Sequence, residues 1–196
     1  MTLYAAASGV STAVCLEPEG DGRHHDTTLS FDALAAELGL AHAKQLPLTL
    51  EDYDGKDGPF DIIVLHNSIN HLDEAACIHL HEGGAYRARY AAIAAKVAAL
   101  AAPGGTLILS DCARRNFFPD VLGTPSPFAR IIEWNKHQQP ELWAQLFSSA
   151  GFARPKIRWA SPNRLGAVGM PLRVRAIQYF LTSYFVLTMT RASKSP

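Results

Sequence analysis

Phe60 to Glu74 reads FDIIVLHNSINHLDE, and this run decides the fold. Ile62, Ile63, Val64 and Leu65 are branched and uninterrupted, which predicts a strand covered on both faces, as in a parallel sheet flanked by helices. The polar residues His66, Asn67, Ser68, Asn70 and His71 begin where the apolar run stops. In open α/β sheets the ligand crevice lies at the carboxyl ends of the strands, so a site is expected here. A second unit of the same kind follows in LAAPGGTLILSDC, Leu100 to Cys112: a helix end, a turn at Pro103 to Gly105, a strand over Thr106 to Ser110, then Asp111.

The segment between them is helical by pattern. Asp73 is placed to cap a segment running through Ala76 and Leu80, broken at Gly83 and Gly84. Ala85 to Ala102 then predicts an alanine-rich helix whose apolar face carries Tyr90, Ile93, Val97 and Leu100. Strand, helix and strand at this spacing form a parallel crossover. Upstream, Thr12 to Leu16 predicts a short strand ending at Glu17, and Pro18 to Thr28, which includes His24 and His25, a loop. Ser30 is placed to cap a helix with Phe31, Leu34, Ala35 and Leu38 inward and Gly39 as its stop. Leu46 to Leu50 predicts a brief strand with Pro47 at its start, and Glu51 to Asp54 an acidic turn. Downstream, Asn116 to Arg130 reads as a loop, Glu141 to Ala150 as a helix stopped by Gly151, and Pro155 to Trp159 as a strand. Asn163 to Arg175 predicts a loop or lid with three arginines. Ile177 to Thr190 alternates bulky and hydroxyl residues as a half-buried edge strand does.

Size and charge narrow the function. The 196 residues suffice for one α/β domain with a buried core. Lysine plus arginine equals aspartate plus glutamate at 18 each, so no net field draws the chain to nucleic acid or an anionic membrane. A small-molecule partner is expected. Cys15, Cys77 and Cys112 are odd in number and widely spaced, which predicts free thiols in a reducing, cytoplasmic compartment. The start lacks a basic segment ahead of its apolar part, so a signal peptide is not expected. The apolar stretch near the end, AIQYFLTSYFVLTM, is too short and too broken for a membrane span.

On these motifs the chain resembles the class I S-adenosylmethionine-dependent methyltransferases of the small-molecule type. FDIIVLHNSINHLDE looks like that family's fourth strand and following loop, LAAPGGTLILSDC like its Pro-Gly-Gly turn and fifth strand. ELWAQLFSSAGF looks like the helix before the last strands, and YFLTSYFVLTMTR like the antiparallel terminal strand. The resemblance covers roughly residues 30 to 191 and implies a Rossmann-like, mostly parallel sheet in a single domain over 1–196.

One departure stands out. The family's GxGxG turn after its first strand is absent, with Ser8-Gly9 as the nearest trace. Glycines there let backbone approach the cofactor, and the helix behind them offers free amides to its carboxylate. Two alignments fit: AVCLEP is the second strand, or ASGVSTAVCLEP is the tail of the glycine loop and its helix. Either way the first βα unit is incomplete, and residues 1–29 are its poorly defined remnant. A truncated gene product, a degenerate paralogue, and a first strand supplied differently all fit that pattern.

By resemblance, Glu17 falls near the acid that binds the ribose hydroxyls, and Leu50, Glu51 and Asp52 near the adenine contacts. Thr49 stands where the family more often has aspartate. His66 and Asn67 fall where the cofactor's methionine part packs. Asn70, Arg114, Arg115, Asn116, Trp134 and His137 are expected to border the acceptor pocket, with His71 the candidate base should the acceptor lose a proton. Arginines after the fifth strand suit a carboxylate or phosphate. No metal is expected: His79 and His81 on a helix would point about 200° apart. The rival to an enzyme is a catalytically silent module of the same fold. A homo-oligomer is compatible with either.

Overall fold

The computed structural model describes residues 1–18, 25–160 and 169–193. By its internal contacts the chain divides into two compact units, 1–58 and 59–196.

The first unit is built on two parallel strands, β1 (Ala13–Leu16) and β2 (Ala43–Leu46), in register from Ala13 against Ala43 to Leu16 against Leu46. Helix α1 (Thr2–Ala7) packs on them, burying Ala6 with Ala13 and Leu40. Helix α2 (His25–Glu37) precedes β2 and stops at Gly39, whose φ of +66° is natural only for glycine. Three expectations need correction here. The helix begins at His25, so His25 is not in a loop and Ser30 lies inside the helix instead of capping it. The second strand ends at Leu46, because Pro47 has no N–H to continue a ladder. His24 falls outside the described residues.

The second unit carries a four-stranded sheet in the order β3-β4-β6-β5. Strand β3 (Phe60–His66) runs parallel to β4 (Ala101–Cys112), while β6 (Tyr184–Arg191) is antiparallel to both β4 and β5 (Phe152–Trp159). Three strands therefore point one way and only β6 is reversed, the Rossmann-like α/β arrangement expected. The loop after β3 leads into α3 (Glu74–His79), whose Asp73 cap accepts the Ala76 amide at 2.9 Å, and then α4 (Gly84–Leu100). The Pro-Gly-Gly turn folds into the start of β4 as a bulge against β3. Gly105 is required there, since a Cβ would stand 2.9 Å from the Ala102 carbonyl and 3.0 Å from that of Phe60. Helix α5 (Pro140–Ser149) buries Trp143, Leu146 and Phe147.

Two expectations fail in this unit. The aromatic run before the last strand is a short helix, α6 (Arg175–Phe180), and β6 is an interior strand instead of an edge one. Nor is β3 covered on both faces: Ile63 and Leu65 are half-buried and buried, but Ile62 and Val64 are 55% and 41% exposed. The alternation of β4 and β6 places Leu107, Leu109, Phe185, Leu187 and Met189, all buried, on the other face. No helix among the described residues is long and apolar enough to cross a membrane. Residues 163–168 of the expected lid lie outside the described residues.

Candidate active site

The carboxyl ends of β3 and β4 carry the polar side chains in which a site is expected. His66 pairs with Ser110 across the two strands, and its Nδ1 lies 2.7 Å from the Ser110 hydroxyl and 3.3 Å from that of Tyr184. Burial pushes the Tyr184 phenol above its ordinary range, so it remains a donor at neutral pH. The next residue, Asn67, has a φ of +49° while its amide donates to the Ser110 carbonyl at 2.9 Å. Non-glycine residues held in this region cost energy and concentrate at functional strand ends.

The loop that follows is pinned from below. Buried Tyr90 on α4 donates its hydroxyl to the Ile69 carbonyl at 2.9 Å, with that of Asp73 at 3.1 Å, and its ring packs on Trp143. Asn70 is buried in this loop, and its Oδ1 has no hydrogen-bond partner. His71 is different: its ring is exposed and stands 3.7 Å from Glu74, an exposed ion pair.

On the opposite face of β4 lies Asp111, fully buried. Its Oδ1 accepts from the Cys112 amide at 2.8 Å and sits 3.0 Å from His137 Nδ1. The Asp111 Oδ2 has no partner. Because the carboxylate accepts, Nδ1 carries the proton and Nε2 keeps a lone pair. Buried thiols beside this pair are inert: burial pushes Cys112 up to about 12, Asp111's charge adding to it, and Cys77 also to about 12, chiefly by burial. The three cysteines are free, as expected.

Of the other pocket candidates, Arg114 and Asn116 are bound into the fold. Arg114 donates to the carbonyls of Ile78 and Asn135 at 3.0 and 2.8 Å. Asn116, fully buried, donates to the Leu181 carbonyl and accepts from the Phe118 amide. Arg115 pairs with Asp120 and lines a cavity, while Trp134 lines a different one with Pro119 and Pro125. Tyr184, Ser110 and the pairing of Asp111 with His137 were not anticipated from sequence. Tyr184 lies 118 residues from His66, a separation across which local pattern carries no signal.

The first unit holds the remaining candidates. Glu17 follows β1, its amide bonded to the Leu46 carbonyl. Leu50, Glu51 and Asp52 form a turn after β2, where Thr49 Oγ1 donates to Asp52 at 2.6 Å and accepts the Asp52 amide at 3.1 Å. Glu51 and Asp52 are exposed. His79 bonds Glu82 at 2.7 Å, and no group of three metal-ligating side chains occurs among the described residues.

Comparison with known proteins places the fold. No family model matches the chain, and no curated protein matches it. Solved structures do. An S-adenosylmethionine-dependent methyltransferase from Methanosarcina mazei superposes with a TM-score of 0.58 at 13% identity, over 99% of this chain and 88% of that one. The cyclase SpnF gives 0.58 at 14% identity, over 97% of this chain and 70% of its own. A protein from Bordetella parapertussis described as a possible exported protein gives 0.55 at 14%, over 93% of this chain. This chain spans about half, 54%, of the length of that last one. The shared property is the α/β methyltransferase-type fold.

Proposed function

We propose that the protein is an S-adenosylmethionine-dependent methyltransferase acting on a small molecule. The observation that carries this reading is the fold, whose solved relatives include several such enzymes, with polar side chains at the carboxyl ends of β3 and β4. Asn70 Oδ1 and Asp111 Oδ2 are buried acceptors without protein partners, which a bound water or polar group would satisfy.

When bound, S-adenosylmethionine supplies an electrophilic methyl group. His66 and Asn67 would hold its methionine part, while the assignment of Glu17, Leu50, Glu51 and Asp52 in the first unit to the ribose and adenine rests on the sequence resemblance alone. The chain's own task is then to position the acceptor. Where the acceptor's nucleophile carries a proton, His137 is the better base than His71. Its Nδ1–H is oriented by Asp111, leaving Nε2 to take the proton, whereas His71 is solvated at the surface. The equal numbers of acids and bases favour a small acceptor over nucleic acid or a membrane, and three free thiols favour a reducing, cytoplasmic setting. Whether the protein works as a homo-oligomer belongs to the same proposal.

One feature favours a second reading, a silent binding module of this fold: the sequence has no GxGxG turn. The two readings separate in a thermal-shift assay. Ligand that binds only the folded state raises Tm by mass action. We expect S-adenosylmethionine and S-adenosylhomocysteine at millimolar levels each to raise Tm. A flat response from well-folded protein to both would reject the enzyme.

A further inference from the structure

Between β4, α5 and α6 lies a cavity of about 570 Å³ whose charged wall residues among those described are two arginines, Arg115 and Arg175. This volume falls within the range of small-molecule sites, ~300 to 1,000 Å³. Trp159 and Tyr179 supply aromatic lining, with Ala113 from just after β4 and Gln139 from the start of α5. The Arg175 guanidinium lies over the Trp159 ring at 5.7 Å.

Both arginines are held in place without being used up. Arg175 Nη1 donates to Glu141 at 2.7 Å, and Arg115 Nε donates to Asp120 at 2.5 Å, where Tyr179 donates as well at 3.0 Å. Neither Glu141 nor Asp120 lines the cavity. A guanidinium has five N–H donors in a planar fork, so donors remain on both. The corner carrying Arg175 and Tyr179 is rigid: Ser183, at a φ of +50°, donates to the Arg115 carbonyl at 2.7 Å, and buried Gln178 bonds the Leu172 carbonyl and the Thr182 hydroxyl. Such anchoring keeps a binding wall preorganised.

We infer that this cavity binds an aromatic carboxylate, the carboxylate on Arg115 and Arg175 and the ring against Trp159 and Tyr179. As the acceptor's place, the assignment rests on the methyltransferase reading and names its substrate class; as a binding site it stands by itself. The charged groups of the wall among the described residues are two arginines, each also paired with an acid outside it, and the wall carries two aromatic rings. Such a wall favours a carboxylate over a neutral analogue, because charge-assisted bonds to the carboxylate are lost in the latter. Stacking on Trp159 supplies the ring contact.

The test uses the full chain and 4-hydroxybenzoate, with 4-hydroxybenzyl alcohol as the uncharged control, followed by titration calorimetry and by tryptophan fluorescence. Saturable binding of the acid is expected, weakened about tenfold or more for the alcohol and by the double substitution Arg115→Gln and Arg175→Gln. Both arginines are exposed, so circular dichroism should show the double variant folded; if it is not, Trp159→Phe, which removes the fluorescence response while calorimetric binding of the acid weakens, serves instead. Absence of saturable binding, equal binding of the alcohol, or indifference to the substitutions would overturn the assignment. S-adenosylhomocysteine is titrated in parallel: its binding without that of the acid removes this inference alone, and binding of the acid without it removes the methyltransferase reading alone.

Discussion

The turn after β2 and the strand ends of β3 and β4 carry similar residue types in different settings. In the first, Asp52 is exposed and completes a closed exchange with Thr49 three residues away. In the second, Asn116 and Asp111 are fully buried, and their partners come from Leu181 and His137, far along the chain. Acids in a solvated turn need no ligand to satisfy them. Among the described residues, buried acceptors left without protein partners occur at the β3 and β4 ends, Asn70 Oδ1 and Asp111 Oδ2. Binding function is therefore better sought where satisfaction is incomplete than where acids are plentiful.

Substitutions measure the contrast. The largest effect is expected from Asn116→Ala, which leaves the Leu181 carbonyl and the Phe118 amide without their partner; urea denaturation should show a loss of about 2 to 3 kcal/mol. A value below ~0.5 kcal/mol would put this strand end on a par with the β2 turn. Tyr90→Phe, which frees the loop after β3, should cost about 1 kcal/mol and speed amide exchange at Asn70 and His71 more than in β4.

Next comes Asp73, whose carboxyl is held below its ordinary range first by the Ala76 amide and then by Arg89. Its folded pKa lies below its unfolded one, so its stabilisation is full above the unfolded value near 3.8 and fades as the pH falls through the lower folded value. Asp73→Ala should cost about 1 kcal/mol at pH 7 and less below pH ~3. Equal costs at both values would show that the cap carries no charge-dependent part. Smallest is Asp52→Ala, expected to change stability by less than ~0.5 kcal/mol. A larger loss would mean that the turn is tied to more than Thr49.

How much of this was legible follows from the range of each interaction. The apolar run of β3, the Asp73 cap and the body of α4 are local patterns, and they lie where the sequence placed them. The Pro-Gly-Gly expected as a turn before the strand is instead part of β4, which starts at Ala101 where the helix was expected to continue. Pro47 misled because a proline is compatible with a strand's first residue as well as with its end. The bulky run before β6 hid α6, since Arg175 to Phe180 carries aromatic residues that suit either state. The burial of β3 was over-read: continuous branched residues suit a covered strand, yet covering depends on elements elsewhere, and Ile62 and Val64 are open. His66 and Asn67 stand at the end of β3, where position alone put them. The partner of Asp111 was not, because His137 arrives from a loop 26 residues later.

The central claim is that these strand ends belong to a cofactor-binding fold. Isothermal titration of the full chain with S-adenosylhomocysteine tests it most directly. One saturable site per chain is predicted, weakened by substitution of His66 and Asn67. No heat of binding up to millimolar ligand, from protein shown to be folded, would contradict it.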